Sequence, residues 1–361
     1  MIDSQLTLPE SGVDVTVGWL NTVLERSAAW KHGLVVSANL EQIGGIDSLA
    51  SSVFRARIYL ESGQESSLLV KMQMDQPRPA LIAMYEAESY FYNRYADRAG
   101  IPTPDTYFAA FDQDSNRFII VQEFLTEGEV GTSGAFLSWS DLLRAVINLA
   151  DMHSNWWASD ELMDDPKVRR MQDLVARSNA TLQDPESNPV PGFLRDFEDR
   201  LVPGMVRFFE TMPEWRPRLA SMPWPPDTLI HADCSSKNTM FPFDAARSPV
   251  LLDWALFHRG PGAYDLAVLI SASASPAHQV DTLRLLEAYL ERLSSNGVQS
   301  YEFSALKTDY VRSLIFRSYG LPLVASWGTP EGSAHLDSVI SSMGAALENS
   351  GAFELASELT R

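Results

Sequence analysis

The residues with the clearest chemical content lie between positions 229 and 254. Leu229-Ile230-His231-Ala232-Asp233-Cys234-Ser235-Ser236-Lys237-Asn238 leaves a strand-like run and forms a polar loop, and Thr239-Met240-Phe241 returns to strand character. Fifteen residues after Asn238 comes Leu251-Leu252-Asp253-Trp254, which places a carboxylate at the end of a second strand. An Asp, an Asn five residues on and a further Asp across a hairpin can converge on one point. Phosphoryl transfer to a hydroxyl asks for such oxygens. One carboxylate takes the proton of the nucleophile, while an amide oxygen and a second carboxylate hold Mg²⁺ against phosphates. Other chemistries find less support. His231, Asp233 and Cys234 are too close along the chain to turn toward one metal, and no second ligand pair follows at zinc spacing. Cys234 as a nucleophile needs a neighbouring base and an electropositive setting. No Gly-x-Ser-x-Gly elbow and no phosphate-binding Gly-Lys-Ser/Thr loop occurs.

The elements that must position these residues follow from hydrophobic periodicity. Residues 53–60, 67–73 and 117–124 alternate in the manner of strands. Between the last two, residues 79–98 read as a helix, with Pro79 near its start and Gly100 and Pro102 marking its stop. The remainder is mostly helical. Ser138-Trp139-Ser140-Asp141 has the form of a capping box ahead of Leu142, Leu143, Val146, Leu149 and Ala150. Further helical patterns cover residues 277–295, 301–318 and 335–347, interrupted by a β island formed by 228–230 and 250–252. The expected architecture is α+β, with a β-rich unit over residues 1–124, a connector near 123–131 and a helical unit over 125–361. Ligands commonly bind between two such units.

Composition narrows the class further. The chain has 361 residues, 28 Lys+Arg against 47 Asp+Glu, a net charge of −19 and 45% hydrophobic residues. At ~150 residues per domain this suits about two globular units. The acidity is spread evenly, so phosphate backbones and anionic lipid are repelled, and neither nucleic acid nor a membrane is an expected partner. One cysteine excludes an internal disulfide framework. No run approaches the ~20 apolar residues of a membrane span, and the first residues show no secretory signal, so the chain reads as cytoplasmic.

The pattern His-x-Asp, then Asn five residues after the Asp, then Asp-Trp resembles the aminoglycoside phosphotransferase and choline-kinase-like superfamily, relatives of the protein kinases. The continuation Arg259-Gly260-Pro261-Gly262-Ala263-Tyr264-Asp265-Leu266-Ala267 is most similar to its ecdysteroid-kinase-like branch. The resemblance implies a protein-kinase-like two-lobed fold and an ATP- and Mg²⁺-dependent phosphotransferase. Asp233 would be the catalytic base, Asn238 and Asp253 the metal ligands, His231 a brace for the catalytic loop, and Asp265 a local anchor for the segment beyond the metal site. It also implies a strand lysine on the α/β-phosphates and a helix glutamate to hold it. Lys71 in Leu68-Leu69-Val70-Lys71, and Glu88 in Glu88-Ser89-Tyr90-Phe91-Tyr92, fill those positions. The small-residue turn containing Gly44, Gly45 and Ser52 would cover phosphates with its N–H groups. Glu123 and Leu125 would form the hinge against adenine. Ala232 departs from the family, which usually has Gly there, and Ala does not readily adopt positive φ.

Taken singly, each of these residues has a plainer reading. Lys71 suits a strand edge, Glu88 a solvated helix face, Asn238 and Asp253 turns, His231 a satisfied structural histidine, and His153 the packing of its helix. Their joint order is what favours a kinase acting on the hydroxyl of a small molecule. The alternative is a nucleotide-binding pseudokinase scaffold without turnover. Seven of nine tryptophans (Trp139, Trp156, Trp157, Trp215, Trp224, Trp254 and Trp327) lie in the helical part. With the branch resemblance, they tilt the expected acceptor toward an apolar alcohol such as a sterol, macrolide or hydroxyacyl compound, over an aminoglycoside or choline.

Overall fold

The structure is a computed structural model that describes residues 6–43, 51–132, 134–326 and 333–361. The chain divides into two units, Met1–Glu129 with Val250–Leu256, and Val130–Pro249 with Phe257–Arg361. Residues 125–129 and the short segment carrying Asp253 therefore group with the β-rich unit.

The first unit is built on five antiparallel strands: β1 (Val35–Ile43), β2 (Ser52–Leu60), β3 (Glu65–Met72), β4 (Thr106–Asp112) and β5 (Arg117–Glu123). Their order is β1-β2-β3-β5-β4, so the three strands expected from sequence are the inner ones. In β3, the central strand, Lys71 pairs with Val53 on one side and Ile120 on the other. Because side chains alternate across a sheet, Leu68, Val70 and Met72 share one face. They join Leu20, Val23 and Leu24 of helix α1 (Val17–Leu24) in the core. Leu69 and Lys71 are thereby turned to the opposite face.

Helix α2 (Pro79–Arg94) begins with a proline where no intrahelical N–H is needed. It gives way to a 3₁₀ turn at Ala96–Arg98, and Gly100 takes φ +84, which a side chain would resist. In the fourth turn of α2, Phe91 is fully buried and stacks on Trp254, ring centroids 3.8 Å apart and planes 6° from parallel. The Trp254 indole N–H donates to the Leu251 carbonyl at 3.2 Å. That stack fastens the Asp253 segment to the helix carrying Glu88.

In the second unit, helix α3 (Trp139–Asn155) starts at the expected cap, the Ser138 hydroxyl accepting from the Asp141 N–H at 3.1 Å. Asp141 does not close a full box, because its carboxylate accepts from the Ser138 hydroxyl at 2.8 Å. Leu142, Val146, Leu149 and Met152 form its buried face. The helix Ala263–Ser273 is buried on nearly every side and is accordingly apolar all round. The 277–295 pattern divides into Pro276–Gln279 and Thr282–Ser295, while the other two patterns become Phe303–Ser318 and Ser333–Ser350. The strand Thr228–Ile230 pairs antiparallel with His258–Gly260, a strand the sequence pattern did not mark. Gly260 permits this, since a Cβ there would lie 2.8 Å from the Met171 Cβ and 3.1 Å from the Ile230 Cδ1. Among the described residues no helix is long and apolar enough to cross a membrane.

Replacing Phe91 by Ala removes one face of the Trp254 stack from a fully buried site. Phe91→Ala should destabilise the protein by about 3–5 kcal/mol, read as a lower urea midpoint.

Candidate active site

The loop after Thr228–Ile230 is shaped by a carboxylate from another element. Asp265, wholly buried in the first turn of the helix Ala263–Ser273, accepts from the His231 N–H through Oδ2 and from the Ala232 N–H through Oδ1, both at 2.8 Å. A helix N-terminus favours a negative charge at this position. The same Oδ2 lies 3.2 Å from His153 Nε2, and His153 Nδ1 lies 2.9 Å from the Tyr289 hydroxyl. Gly262 makes room for that pair, since a Cβ on it would fall 2.5 Å from the Tyr289 oxygen and 2.7 Å from His153 Nδ1. Asp265 is therefore no local anchor, because its bonds run to the catalytic loop itself and to α3.

Held by these two N–H groups, Ala232 adopts φ +66. The loop takes the left-handed conformation a glycine would take easily, and the alanine bears the strain. His231 is buried, and its Nδ1 accepts from the Asp233 N–H at 3.2 Å, which fixes the backbone at the next residue but one. Asp233 is partly exposed. Its Oδ2 accepts from Asn238 Nδ2 at 2.9 Å and lies 3.3 Å from Lys237 Nζ. Asn238 Nδ2 also donates to the Asp233 carbonyl at 2.9 Å, and no donor among the described residues reaches its amide oxygen. Cys234 is buried, donates to the Asp265 carbonyl at 3.2 Å, and its thiol is pushed up by burial and by Asp265 and Asp233. It is not a nucleophile in this setting.

In the first unit, Lys71 Nζ donates to Glu88 Oε1 at 2.7 Å and to Asp253 Oδ1 at 2.9 Å. Burial pulls the ammonium down, but Asp253 and Glu88 outweigh it and hold it well above its usual range. Burial also pushes the Glu88 carboxyl up to about 7, against the pull of Lys71 and of the Trp254 N–H, and among the described residues its Oε2 has no side-chain partner. Asp253 sits at φ +60, a second left-handed non-glycine residue.

The sequence-derived residues thus fall into two clusters. Lys71, Glu88 and Asp253 meet in the first unit; His231, Asp233, Asn238 and Asp265 meet in the second. Gly44 and Gly45 lie outside the described residues, while Ser52 opens β2 opposite Met72. Glu123 ends β5, its N–H donating to the Asp105 carbonyl and its carboxylate accepting from the Asp105 N–H, both at 2.9 Å, and half-buried Leu125 follows the strand. Lys237 was overlooked, although its place four residues after Asp233 was visible. Among the described residues no group of three or more His, Cys, Asp or Glu could hold a metal by itself. Mg²⁺ does not require one, because it takes one or two carboxylates and completes its octahedron with phosphate and water.

The antiparallel sheet of the first unit and the mostly helical second unit define a two-lobed, kinase-like α+β fold. The profile of the family described as "APH: Phosphotransferase enzyme family" matches residues 51–303, and the chain belongs to that family. In structure it is similar to a candidate aminoglycoside phosphotransferase from Ralstonia eutropha JMP134, with a TM-score of 0.55, 16% identity, and 94% of this chain and 97% of that one covered. It is similar also to macrolide 2'-phosphotransferase MphH from Brachybacterium faecium, with a TM-score of 0.51, 17% identity, and 85% and 91% covered. A third is amicoumacin kinase hAmiN in complex with AMP-PNP, Ca²⁺ and Ami, with a TM-score of 0.51, 12% identity, and 84% and 87% covered. At these identities the likeness shows the fold alone. A search of curated proteins by sequence finds no match.

Two outcomes test the electrostatics and the strain. Ala232→Gly relieves the left-handed penalty and should stabilise the protein by about 1 kcal/mol in urea denaturation. Glu88 holds its proton more tightly folded, to about 7, than at its ordinary value of 4.5. The stability tied to that proton is therefore full below about 4.5 and lost as pH rises through about 7. Glu88→Gln should flatten the stability–pH curve across that window, by on the order of 3 kcal/mol.

Proposed function

We propose that the protein is an ATP- and Mg²⁺-dependent kinase that transfers a phosphoryl group to the hydroxyl of a small molecule, working in the cytoplasm. The observation that carries this reading is the Lys71 ammonium shared between Glu88 at 2.7 Å and Asp253 at 2.9 Å. A buried lysine tied to two carboxylates from distant parts of the sequence serves no packing purpose. It suits a cation that steadies nucleotide phosphates while keeping the metal-binding carboxylate in place.

In this reading Glu88 fixes the Lys71 ammonium so that it points at the α/β-phosphates. Asn238 and Asp253 would each offer a hard oxygen to Mg²⁺, which would supply charge compensation for the phosphates. The donor set fits: Asn238 has its amide nitrogen engaged and, among the described residues, no donor on its oxygen, and Asp253 presents a half-exposed carboxylate. Asp233 orients the acceptor hydroxyl and receives its proton at Oδ1 or Oδ2. Asn238 Nδ2 at 2.9 Å and Lys237 Nζ at 3.3 Å fix the orientation of that carboxylate. Because phosphoryl transfer is loose, positioning matters more than basicity, and the buried Asp265 clamp supplies that positioning. Adenine would lie against the backbone around Glu123 and Leu125.

The acceptor class is not carried by the tryptophans. Trp215 and Trp254 are fully buried, Trp224 stacks on Phe316 at 5.3 Å and Trp157 packs on Tyr301 at 5.1 Å, all occupied in packing. Trp327 lies outside the described residues.

Asp233→Asn should lower turnover by about three orders of magnitude or more while leaving ATP affinity within a few-fold of the parent. Asp253→Asn should lose both. Coupled ATP-consumption assays and nucleotide titration calorimetry read the two effects separately. An Asp233→Asn protein that turns over normally would sink the reading.

A further inference from the structure

Four arginines in the second unit separate into two kinds. Arg312 is buried with Asp309 at 3.7 Å, and Arg259 lies 3.8 Å from Asp227. Arg216 and Arg317 have no carboxylate partner among the described residues. Arg216 is 2% exposed. Its Nη1 donates to Ser178 Oγ at 2.8 Å, to Asn179 Oδ1 and to the Val175 carbonyl at 3.5 Å, all of them neutral. The guanidinium lies against the rings of Phe316 and Tyr319 at 5.3 and 5.0 Å, and its Nε is buried with no partner. Arg317 has a buried, unpartnered Nε of its own, and its guanidinium rests over Gly320, where a Cβ would come within 2.8 Å of Nη1. Leaving a desolvated guanidinium without an anion is costly, so its persistence here calls for a reason.

Both cations act on Tyr264, and Arg317 also on Cys234 of the catalytic loop. The helix Phe303–Ser318, which carries Arg317, packs along Ala263–Ser273. Tyr264, one residue before the loop-clamping Asp265, is within electrostatic reach of Arg317, Arg216 and Asp233 together, and Cys234 of Arg317 and Asp233. The carboxylates of this region are already matched. Asp265 is taken by two N–H groups and His153, and Asp233 by Asn238 and Lys237. The positive charge left over is that of the two guanidiniums. In a chain of net charge −19, two guanidiniums without a carboxylate partner stand out against the overall charge.

We propose that Arg317 and Arg216 form an anion subsite for the acceptor, so that the small molecule phosphorylated at Asp233 carries a carboxylate or phosphate oxyanion. This rests on the kinase reading above. The planar guanidinium of Arg317 suits bidentate capture of such a group, and Arg216 behind it holds the positive potential. The hydroxyl presented to Asp233 and the captured anion then lie on one molecule.

The test uses the full-length enzyme and matched probes: hydroxyalkanoates against their amides, and sugar phosphates against the free sugars. Calorimetry measures binding, and a coupled assay measures ATP consumption. At least one anion should bind or react roughly tenfold or more better than its neutral twin, and the two pairings tell carboxylate from phosphate. Arg317→Gln should lower kcat/KM for that anion relative to its twin by roughly ten- to a hundredfold, chiefly through KM, with the melting temperature unchanged. Arg216→Lys, which keeps the buried charge, should weaken the same discrimination less. Equal or better use of neutral or cationic acceptors overturns the assignment. So does an Arg317→Gln effect that falls alike on every acceptor, or a panel in which no anion binds above its twin. If ATP with Mg²⁺ fails to bind, the kinase reading falls instead, and the calorimetric comparison still decides the anion subsite.

Discussion

The second unit's chemistry depends on one buried carboxylate. Asp265 accepts from two successive backbone N–H groups, those of His231 and Ala232, and so satisfies both donors away from water. Everything downstream inherits its position from this clamp. The chain is turned through φ +66 at Ala232, the Asp233 N–H is delivered to His231, and the Asp233 side chain emerges beside Asn238. The clamp is itself over-determined, because His153 and Tyr289 hold the far side of the carboxylate and Gly262 leaves them room. A carboxylate buried this deeply is tolerable because both of its oxygens have hydrogen-bond partners.

The first unit solves the converse problem. There the buried group is a cation, and two carboxylates from different elements converge on it. The burden of desolvation falls on Glu88, whose second oxygen has no side-chain partner among the described residues. Strain accompanies both solutions. Ala232 and Asp253 each occupy the left-handed region, at φ +66 and +60, and each immediately precedes or is itself a residue given a chemical role. Strain of this kind persists where surrounding bonds dictate the backbone, as the Asp265 clamp does on one side and the Phe91–Trp254 stack on the other.

How much of this could be read from the sequence follows the range of the interactions. The inner strands β2, β3 and β5 were legible because both faces of the sheet impose alternation on them. The edge strands β1 and β4 were not, since an edge tolerates exposed and irregular patterns, as the many exposed positions of β1 show. Residue types and spacing singled out Asp233, Asn238 and Asp253, and the family resemblance supplied Lys71 and Glu88. The pairing of Thr228–Ile230 with His258–Gly260, and the reach of Asp265 across 34 residues to His231, leave no periodic trace. Lys237 was in plain view in the loop, yet a lysine in a polar loop carries no signal until its partner is known.

Acceptor choice is where global and local properties part company. A net charge of −19 suggests at first a preference for cations. Screening confines each surface charge to a neighbourhood of about 8–10 Å, however, so the sum over the chain says little about one pocket. What matters there is which charges have been neutralised by neighbours. Asp233 and Asp265 have been, through an amide, an ammonium, two N–H groups and an imidazole. Arg216 has only neutral acceptors and ring faces, and Arg317 has no side-chain partner among the described residues. The potential an acceptor meets beside the base is therefore set by unmatched guanidiniums, even in a strongly acidic protein.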